Sequence, residues 1–106
     1  MDILQYHIYE IDVSGAIKGD EMPENVIYGT ILSPNEMNDI LKTVIIAPMC
    51  DNCAITPTTF LINEKTRIRV DQISSLPKKR ITKHIGKLDI SQIPKIKNTL
   101  EEMLVK

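Results

Sequence analysis

Arg69 and Asp71 are the residues of this sequence best placed to do chemistry together, because a single residue separates them in a segment of alternating character. In TRIRVDQIS, the pattern predicts that Ile68 and Val70 point to one side of a strand and that Arg67, Arg69 and Asp71 point to the other. Residues two apart on one face of a strand are about 6.6 Å apart at Cα. A guanidinium and a carboxylate at that spacing can reach each other or a shared substrate.

Such a pair has the groups that RNA cleavage requires. The reaction needs a base near the 2′-hydroxyl, a proton donor for the leaving oxygen and positive charge for the pentacovalent phosphate. Asp71 and Arg69 can divide these roles, although an arginine is a poor acid because it so rarely deprotonates. The alternative is an ion pair on the surface of a strand, which is worth under about 1 kcal/mol. The residues alone leave both interpretations open.

Basic side chains are concentrated in the second part of the chain. Residues 1–64 hold two lysines and ten acidic residues, a net charge of −8, whereas residues 65–106 hold eleven basic and four acidic residues, a net charge of +7. The segment PKKRITKH, with Lys78, Lys79 and Arg80, can follow a phosphate backbone, or it can be a solvated turn and strand edge. No aromatic side chain is interleaved with it, so base stacking is not supported.

The two cysteines, Cys50 and Cys53, form one C-x-x-C motif. It supplies two ligands, whereas a structural zinc site needs four, and both histidines are distant in sequence. A redox motif usually opens a helix, whereas Cys50 follows a strand-like run and precedes a loop-like segment. The pattern favours two free thiols in a loop, in a reducing cytosol.

Short strands must position these residues. The length predicts one domain, residues 1–106. No apolar run approaches the roughly 20 residues of a membrane span, and no signal peptide is indicated, so we expect a cytoplasmic protein. Apolar patterning predicts strands over residues 6–14, 26–33, 42–49, 58–63, 66–74 and 80–88, with a bulge between Ile8 and Tyr9.

Two helices are predicted beside the strands. The first covers residues 34–41, with Ser33 as its cap, and the second begins near Ser91 and is amphipathic. Loops are predicted over residues 15–25 and 50–57, and a turn is predicted over residues 75–79. Together the elements predict a small, strongly bent antiparallel sheet or half-open barrel with the last helix laid against it.

In their order, these segments resemble the MazF/PemK (Kid-like) toxin family of bacterial type II toxin–antitoxin systems. The resemblance is carried by SPNEMN after the second strand, VIIAPM as the third strand and VDQISSLPKKRITKHIGKLD before the last helix. It implies a mainly β fold with α elements, a small SH3-like, CcdB-MazF-type twisted antiparallel barrel with a short inserted helix and a C-terminal amphipathic helix. It also implies a homodimer that cuts single-stranded RNA without a metal or other cofactor, and a disordered antitoxin tail that blocks the RNA groove.

The resemblance also implies site residues. In the PemK/Kid branch, an arginine and an aspartate separated by one residue, directly before a glutamine, act as acid and base, and this pattern falls on Arg69, Asp71 and Gln72. Asp20 falls at the loop position that holds a histidine in the Kid branch. The full set expected to bind RNA is Asp20, Cys50, Arg67, Gln72, Lys78, Lys79 and Arg80.

Departures from the family pattern support a second hypothesis, a catalytically weakened or inactive member that binds antitoxin or RNA. Most active members carry an arginine followed by proline where this chain has Val26 and Ile27, and a threonine or serine where it has Cys50. A third hypothesis is a gyrase poison, because CcdB toxins share the fold. Those toxins depend on a C-terminal end that usually contains Trp, whereas this chain ends in EEMLVK and has no Trp.

Overall fold

The computed structural model describes residues 2–13, 26–51, 59–61 and 66–104, with the backbone only at residues 60 and 61. The predicted loop at residues 15–25, which includes Asp20, lies outside these residues. The strands are β1 (His7–Asp12), β2 (Val26–Ile31), β3 (Thr43–Asp51), β4 (Thr59–Leu61), β5 (Thr66–Arg69), β6 (Ser74–Pro77) and β7 (Ile81–Lys87). The helices are α1 (Asn35–Ile40) and α2 (Ile93–Leu104), and single 3-10 turns cover Val70–Gln72, Lys78–Arg80 and Ile90–Gln92.

All the strand pairs are antiparallel, in the order β4-β5-β3-β2-β1-β7, and β6 also pairs with β3. Strand β3 is shared along its length: residues 43–46 pair with β6, residues 46–48 with β2 and residues 49–51 with β5. This sharing bends the sheet strongly, as the sequence predicts. Among the described residues, no helix is both long and apolar enough to cross a membrane.

Two apolar clusters hold the sheet together. The inner core comprises Tyr9, Ile11, Val13, Ile31, Val44, Ile46 and Ile81. The helix-side core comprises Ile8, Leu32, Ala47, Ile68, Val70, Leu88 and Ile96. Ile96 is fully buried, and it anchors α2 against the residues that precede and follow Arg69.

The register between β1 and β7 shifts where the sequence predicts a bulge. Ile8 pairs with Gly86, whereas Tyr9 pairs with His84, so Ile85 is an extra residue in β7. The prediction of a bulge between Ile8 and Tyr9 is therefore confirmed. The extra residue lies on the partner strand.

Two strand predictions were wrong in their extent. The predicted strand over residues 66–74 ends at Arg69, and a 3-10 turn follows it. The predicted turn over residues 75–79 begins as strand β6, which pairs with the first half of β3. Both errors have a long-range cause. β5 and β6 pair with different parts of β3, so the chain must turn between these two strands. Although VIIAPM is apolar without alternation, as in a strand buried on both faces, Ile45 is 37% exposed, so β3 is not buried on both faces.

Ser33 does not cap α1, contrary to the prediction. The cap position is Pro34, which forms no side-chain cap hydrogen bond. The Ser33 hydroxyl instead donates to Asn38 Oδ1 at 2.5 Å and accepts from the Ile45 N–H at 3.1 Å. It thereby ties α1 to β3 inside the protein, where Ser33 and Asn38 are both buried.

We expect Ser33→Ala to lower the free energy of unfolding by about 1–3 kcal/mol, because it leaves the Ile45 N–H and Asn38 Oδ1 without the Ser33 hydroxyl as a partner. Urea denaturation measures the loss. Ser75→Ala removes an exposed hydroxyl on the strand that pairs with Ile45 and is the matched control, for which a change within about 0.5 kcal/mol is expected. Equal losses in the two variants would contradict the role of Ser33.

Candidate functional site

Arg69 and Asp71 form an ion pair on the protein surface. Arg69 Nη2 lies 3.5 Å from Asp71 Oδ2, and the two side chains are 41% and 33% exposed. Arg69 ends β5 and Asp71 lies in the 3-10 turn that follows. The structure therefore brings these two groups together, and both remain open to a ligand in solution.

Buried residues between the charged ones fix the backbone of this pair. Ile68 and Val70 have no exposed surface and belong to the helix-side core. Arg67 and Arg69 are only partly buried, and Asp71 is exposed. The predicted division of this segment into an apolar and a charged side is confirmed, although the strand stops at Arg69. Asp71 lies on the charged side because of the 3-10 turn, and not because β5 continues past Arg69.

Cys50 lies on β3 directly opposite Arg67 of β5. The prediction that it is a free loop thiol was wrong, because Cys50 belongs to a strand and is disulfide-bonded. The other cysteine of the chain, Cys53, lies outside the described residues. A sulfur in a disulfide carries no S–H, so Cys50 has no thiol hydrogen bond to donate in this state.

The basic run after β6 lies at the other end of β3. Thr43 pairs with Pro77, which precedes the run, and Cys50 pairs with Arg67. Ile68, which precedes Arg69, pairs with Met49, six positions along β3 from Thr43, a distance of about 20 Å in an extended strand. The structure therefore does not bring the run Lys78–Arg80 next to the Arg69–Asp71 pair.

Members of the basic run also differ in their contacts. The Lys78 ammonium donates to the Asn38 carbonyl, and Arg80 Nη1 donates to the Asp12 carbonyl at 3.3 Å. Lys79 is exposed, and it lines a cleft of about 480 Å³ together with Lys42 and Lys78. Lys79 is thus the member whose ammonium is most available to a phosphate.

Gln72 and Asp20 complete the predicted set. Gln72 is exposed beside Asp71, and its backbone carbonyl accepts from Ser74 Oγ at 3.3 Å. Asp20 lies outside the described residues. Sequence reasoning missed Thr59, a buried residue of β4 that pairs directly with Arg69. No local pattern indicates this contact, because it depends on the register between β4 and β5.

The sequence profile described as PemK-like, MazF-like toxin of type II toxin-antitoxin system matches residues 4–104. The chain belongs to this family. The resemblance inferred from the motifs is therefore confirmed over nearly the whole sequence. A search of curated proteins finds no match to this toxin-family chain.

Solved structures share the fold of this toxin-family chain. An endoribonuclease in complex with its cognate antitoxin, from a Mycobacterial species, matches with a TM-score of 0.80 at 18% identity, over 97% of this chain and 95% of that chain. A MazE–MazF crystal structure from Deinococcus radiodurans matches with a TM-score of 0.80 at 13% identity, over 98% and 96%. Mycobacterium tuberculosis toxin MazF-mt6 matches with a TM-score of 0.74 at 17% identity, over 91% and 93%.

At such identities, these likenesses establish the fold. The predicted MazF-type twisted antiparallel barrel, with a short inserted helix and a C-terminal helix, is confirmed. In this toxin fold, the Arg69–Asp71 pair follows directly from β5 and rests on residues that α2 covers.

Proposed function

We propose that this toxin-family chain is an endoribonuclease that cuts single-stranded RNA in the cytoplasm without a metal, as a single domain, and that a cognate antitoxin neutralises it. The observation that carries the proposal is the ion pair of Arg69 and Asp71, 3.5 Å apart and partly exposed. Family membership supports a toxin, and the likeness to structures named as endoribonucleases and as complexes with an antitoxin supports the activity and the partner.

In the proposed reaction, the Asp71 carboxylate takes the proton of an RNA 2′-hydroxyl, and the 2′-oxygen attacks the adjacent phosphorus. The O2′–P bond forms, the P–O5′ bond breaks and the 5′-oxygen takes up a proton from solvent water, while Asp71 later returns its proton to solvent. The Arg69 guanidinium stabilises the negative charge of the pentacovalent phosphate and supports departure of the leaving oxygen. The products are a 2′,3′-cyclic phosphate and a 5′-hydroxyl end.

The ion pair suits this division of roles. An exposed carboxylate is ionised at neutral pH and can therefore accept a proton. An arginine remains charged, so it serves the phosphate better than it serves as a proton donor. Arg67 and Gln72, on either side of the pair, would contact the phosphates or bases that flank the scissile bond. Lys79 and Lys42 would bind phosphates of the RNA strand at a greater distance from the scissile bond.

Incubating the wild-type protein with a long unstructured RNA in EDTA tests the activity. We expect discrete fragments whose ends are 2′,3′-cyclic phosphate and 5′-hydroxyl, as mass spectrometry can identify. A DNA strand of the same sequence is the matched control, because it lacks the 2′-hydroxyl that must attack, and it should stay intact. RNA that remains whole, or fragments that carry 5′-phosphate, would contradict the proposed reaction.

A second candidate function is a binding module that holds RNA or antitoxin without cutting. The observation that favours it is Cys50, which is disulfide-bonded at the position where most family members carry a hydroxyl. This candidate predicts that filter binding retains RNA while the cleavage assay detects no product. Cleavage by the wild-type protein would exclude it.

We also propose that the protein is a homodimer, and that α1 and the start of β3 form its interface. Exposed apolar side chains are concentrated there, a feature typical of interaction surfaces. They are Met37, Ile40, Leu41 and Ile45.

Ile40→Glu should convert the dimer to a monomer, because it places a charge in an apolar contact. Light scattering after size-exclusion chromatography measures the mass. Ile90→Glu is the matched control, because Ile90 is 81% exposed and Ile40 80%, and Ile90 lies on another element. Dissociation by Ile90→Glu alone would place the interface elsewhere.

A further inference from the structure

The two histidines of this chain, 77 residues apart in sequence, meet on the protein surface. His7 Nδ1 lies 2.9 Å from His84 Nε2. The ring centroids are 5.2 Å apart and the ring planes are inclined by 46°. Both histidines of the chain therefore belong to this pair. The pair lies on β1 and β7, whereas the candidate nuclease residue Arg69 lies on β5.

The bulge in β7 creates the pair. In a regular ladder continuing from His7 opposite Lys87, Ile85 would pair with Tyr9, and His84 would face Glu10, on the other side of the sheet from His7. The extra residue moves His84 opposite Tyr9, so that it shares a side with His7.

The Tyr9 ring fixes the orientation of His84. Its centroid lies 5.2 Å from that of His84 at an angle of 73°, an edge-to-face contact. Tyr9 is itself fully buried, and its hydroxyl accepts from the Leu4 N–H at 3.0 Å and lies 3.1 Å from the Asp2 carbonyl. One imidazole of the pair is thus held by a side chain that has little freedom to move.

We propose that His7 and His84 together bind one first-row transition-metal ion that prefers imidazole and a cis, near-right-angled geometry, such as Ni²⁺ or Cu²⁺. Two nitrogens bound at about 2.0–2.1 Å lie about 2.9 Å apart when the angle at the metal is 90°, and about 3.3 Å apart at the tetrahedral angle. The observed separation of 2.9 Å matches the first geometry. The rings need to turn, not to separate, for both lone pairs to meet at one point.

A metal ion can take the place of the hydrogen bond between the two rings. Burial, the His84 ring and the Lys87 ammonium all lower the pKa of His7, which favours the unprotonated imidazole that a metal ion requires. In the hydrogen-bonded pair, one N–H points from one ring to the other. When a metal ion binds there, this proton moves to the outer nitrogen of the same ring by a change of tautomer.

The pair supplies two ligands, which sets the expected strength. In the described part of the chain, no group of three or more His, Cys, Asp or Glu side chains is close enough to share a metal. Water then fills the other positions, and we expect a dissociation constant in the micromolar range. The Lys87 ammonium, close enough to lower the pKa of His7, opposes a bound cation. The site is independent of the proposed nuclease activity, which needs no metal.

Calorimetric titration of the protein with NiCl₂ tests the proposal. The protein must be untagged, with its disulfide intact and without chelator or reductant, so that no other imidazole or thiol binds. We expect one equivalent to bind and the melting temperature to rise by about 5–10 °C at saturation. MgCl₂ should neither bind nor stabilise, because Mg²⁺ prefers oxygen ligands.

Four variants decide the assignment. His7→Ala and His84→Ala should each weaken Ni²⁺ binding at least tenfold. Lys87→Gln should strengthen it, because the opposing charge is removed. Lys83→Gln, which removes a charge opposite Glu10, is the control and should leave binding unchanged. Absence of Ni²⁺ binding in the wild type, or binding that survives in the His7→Ala/His84→Ala double variant, would overturn the proposal.

If a histidine variant is poorly folded, Cu²⁺ on the wild-type protein gives a second measurement. The electron paramagnetic resonance spectrum of bound Cu²⁺ should show hyperfine coupling to two imidazole nitrogens. A spectrum with oxygen ligands alone would contradict the site whatever the variants show. RNA cleavage, measured in EDTA, should be unaffected throughout, so failure of this proposal and failure of the nuclease assignment can be told apart.

Discussion

Asp71→Asn should reduce RNA cleavage by about 10²–10⁴-fold, the range by which a positioned acid or base accelerates proton transfer. The asparagine has nearly the shape of the aspartate, but it cannot accept a proton from the 2′-hydroxyl. Arg69→Ala should cost about 10²–10³-fold, because it removes a charged donor from the developing phosphate charge. Arg69→Lys should recover part of this loss, since a lysine supplies the positive charge but lacks the planar guanidinium that can donate two parallel hydrogen bonds. Initial rates on a fluorescent RNA substrate measure each effect.

Stability distinguishes a chemical role from a structural one at this pair. An exposed ion pair is worth under about 1 kcal/mol, so all three variants should remain folded, as thermal unfolding can verify. Glu101→Gln and Lys97→Ala, on exposed positions of α2, are the matched controls and should cut RNA at the wild-type rate. If Asp71→Asn cleaves as fast as these controls, Asp71 is not the base.

Ile96→Ala should lower the free energy of unfolding by about 2–5 kcal/mol, the largest effect on stability that we expect. Ile96 is fully buried and packs in the same cluster as Ile68 and Val70. Its truncation leaves a cavity between α2 and the strand that ends in Arg69. Since small domains are stable by roughly 5–15 kcal/mol, this loss is a substantial part of the total. Urea denaturation followed by circular dichroism measures it.

The matched control is Leu104→Ala on the same helix. Leu104 is 63% exposed, so its truncation should change the stability by about 0.5 kcal/mol or less. Similar losses in the two variants would mean that α2 is not held by the helix-side core. Because Ile68 and Val70 support the ion pair, we also expect Ile96→Ala to cleave RNA more slowly than Leu104→Ala at a temperature where both are folded.

Local patterns in the sequence predicted the features that depend on neighbouring residues. The alternation around Ile68 and Val70 gave the correct apolar side, and it placed Arg69 near Asp71 even though the strand stops between them. The prediction survives the 3-10 turn because burial of Val70 constrains the backbone on either side of it. The bulge between Ile8 and Tyr9 was likewise visible as a break in the alternation.

Features that depend on distant partners could not be predicted in the same way. The residues of strand β6 have the local pattern of a turn, because the only signal of this strand is the pairing of residues 74–77 with residues 43–46. Ser33 fits a capping pattern, yet its hydroxyl is used by the backbone of Ile45. The meeting of His7 and His84 depends on the register of two strands at opposite ends of the sequence, which no short motif encodes.

The pairing of β1 with β7 has a consequence for synthesis of the protein on the ribosome. The first strand pairs early with β2 on one edge, but its other edge cannot pair until residues 81–87 have left the exit tunnel, so a nascent chain exposes that edge of β1 and the open side of its inner core. Long-range pairings of this kind also form slowly. A translation product that stops before β7 therefore cannot close its sheet, and the edge of β1 that β7 covers stays unpaired until the last third of the chain has been made.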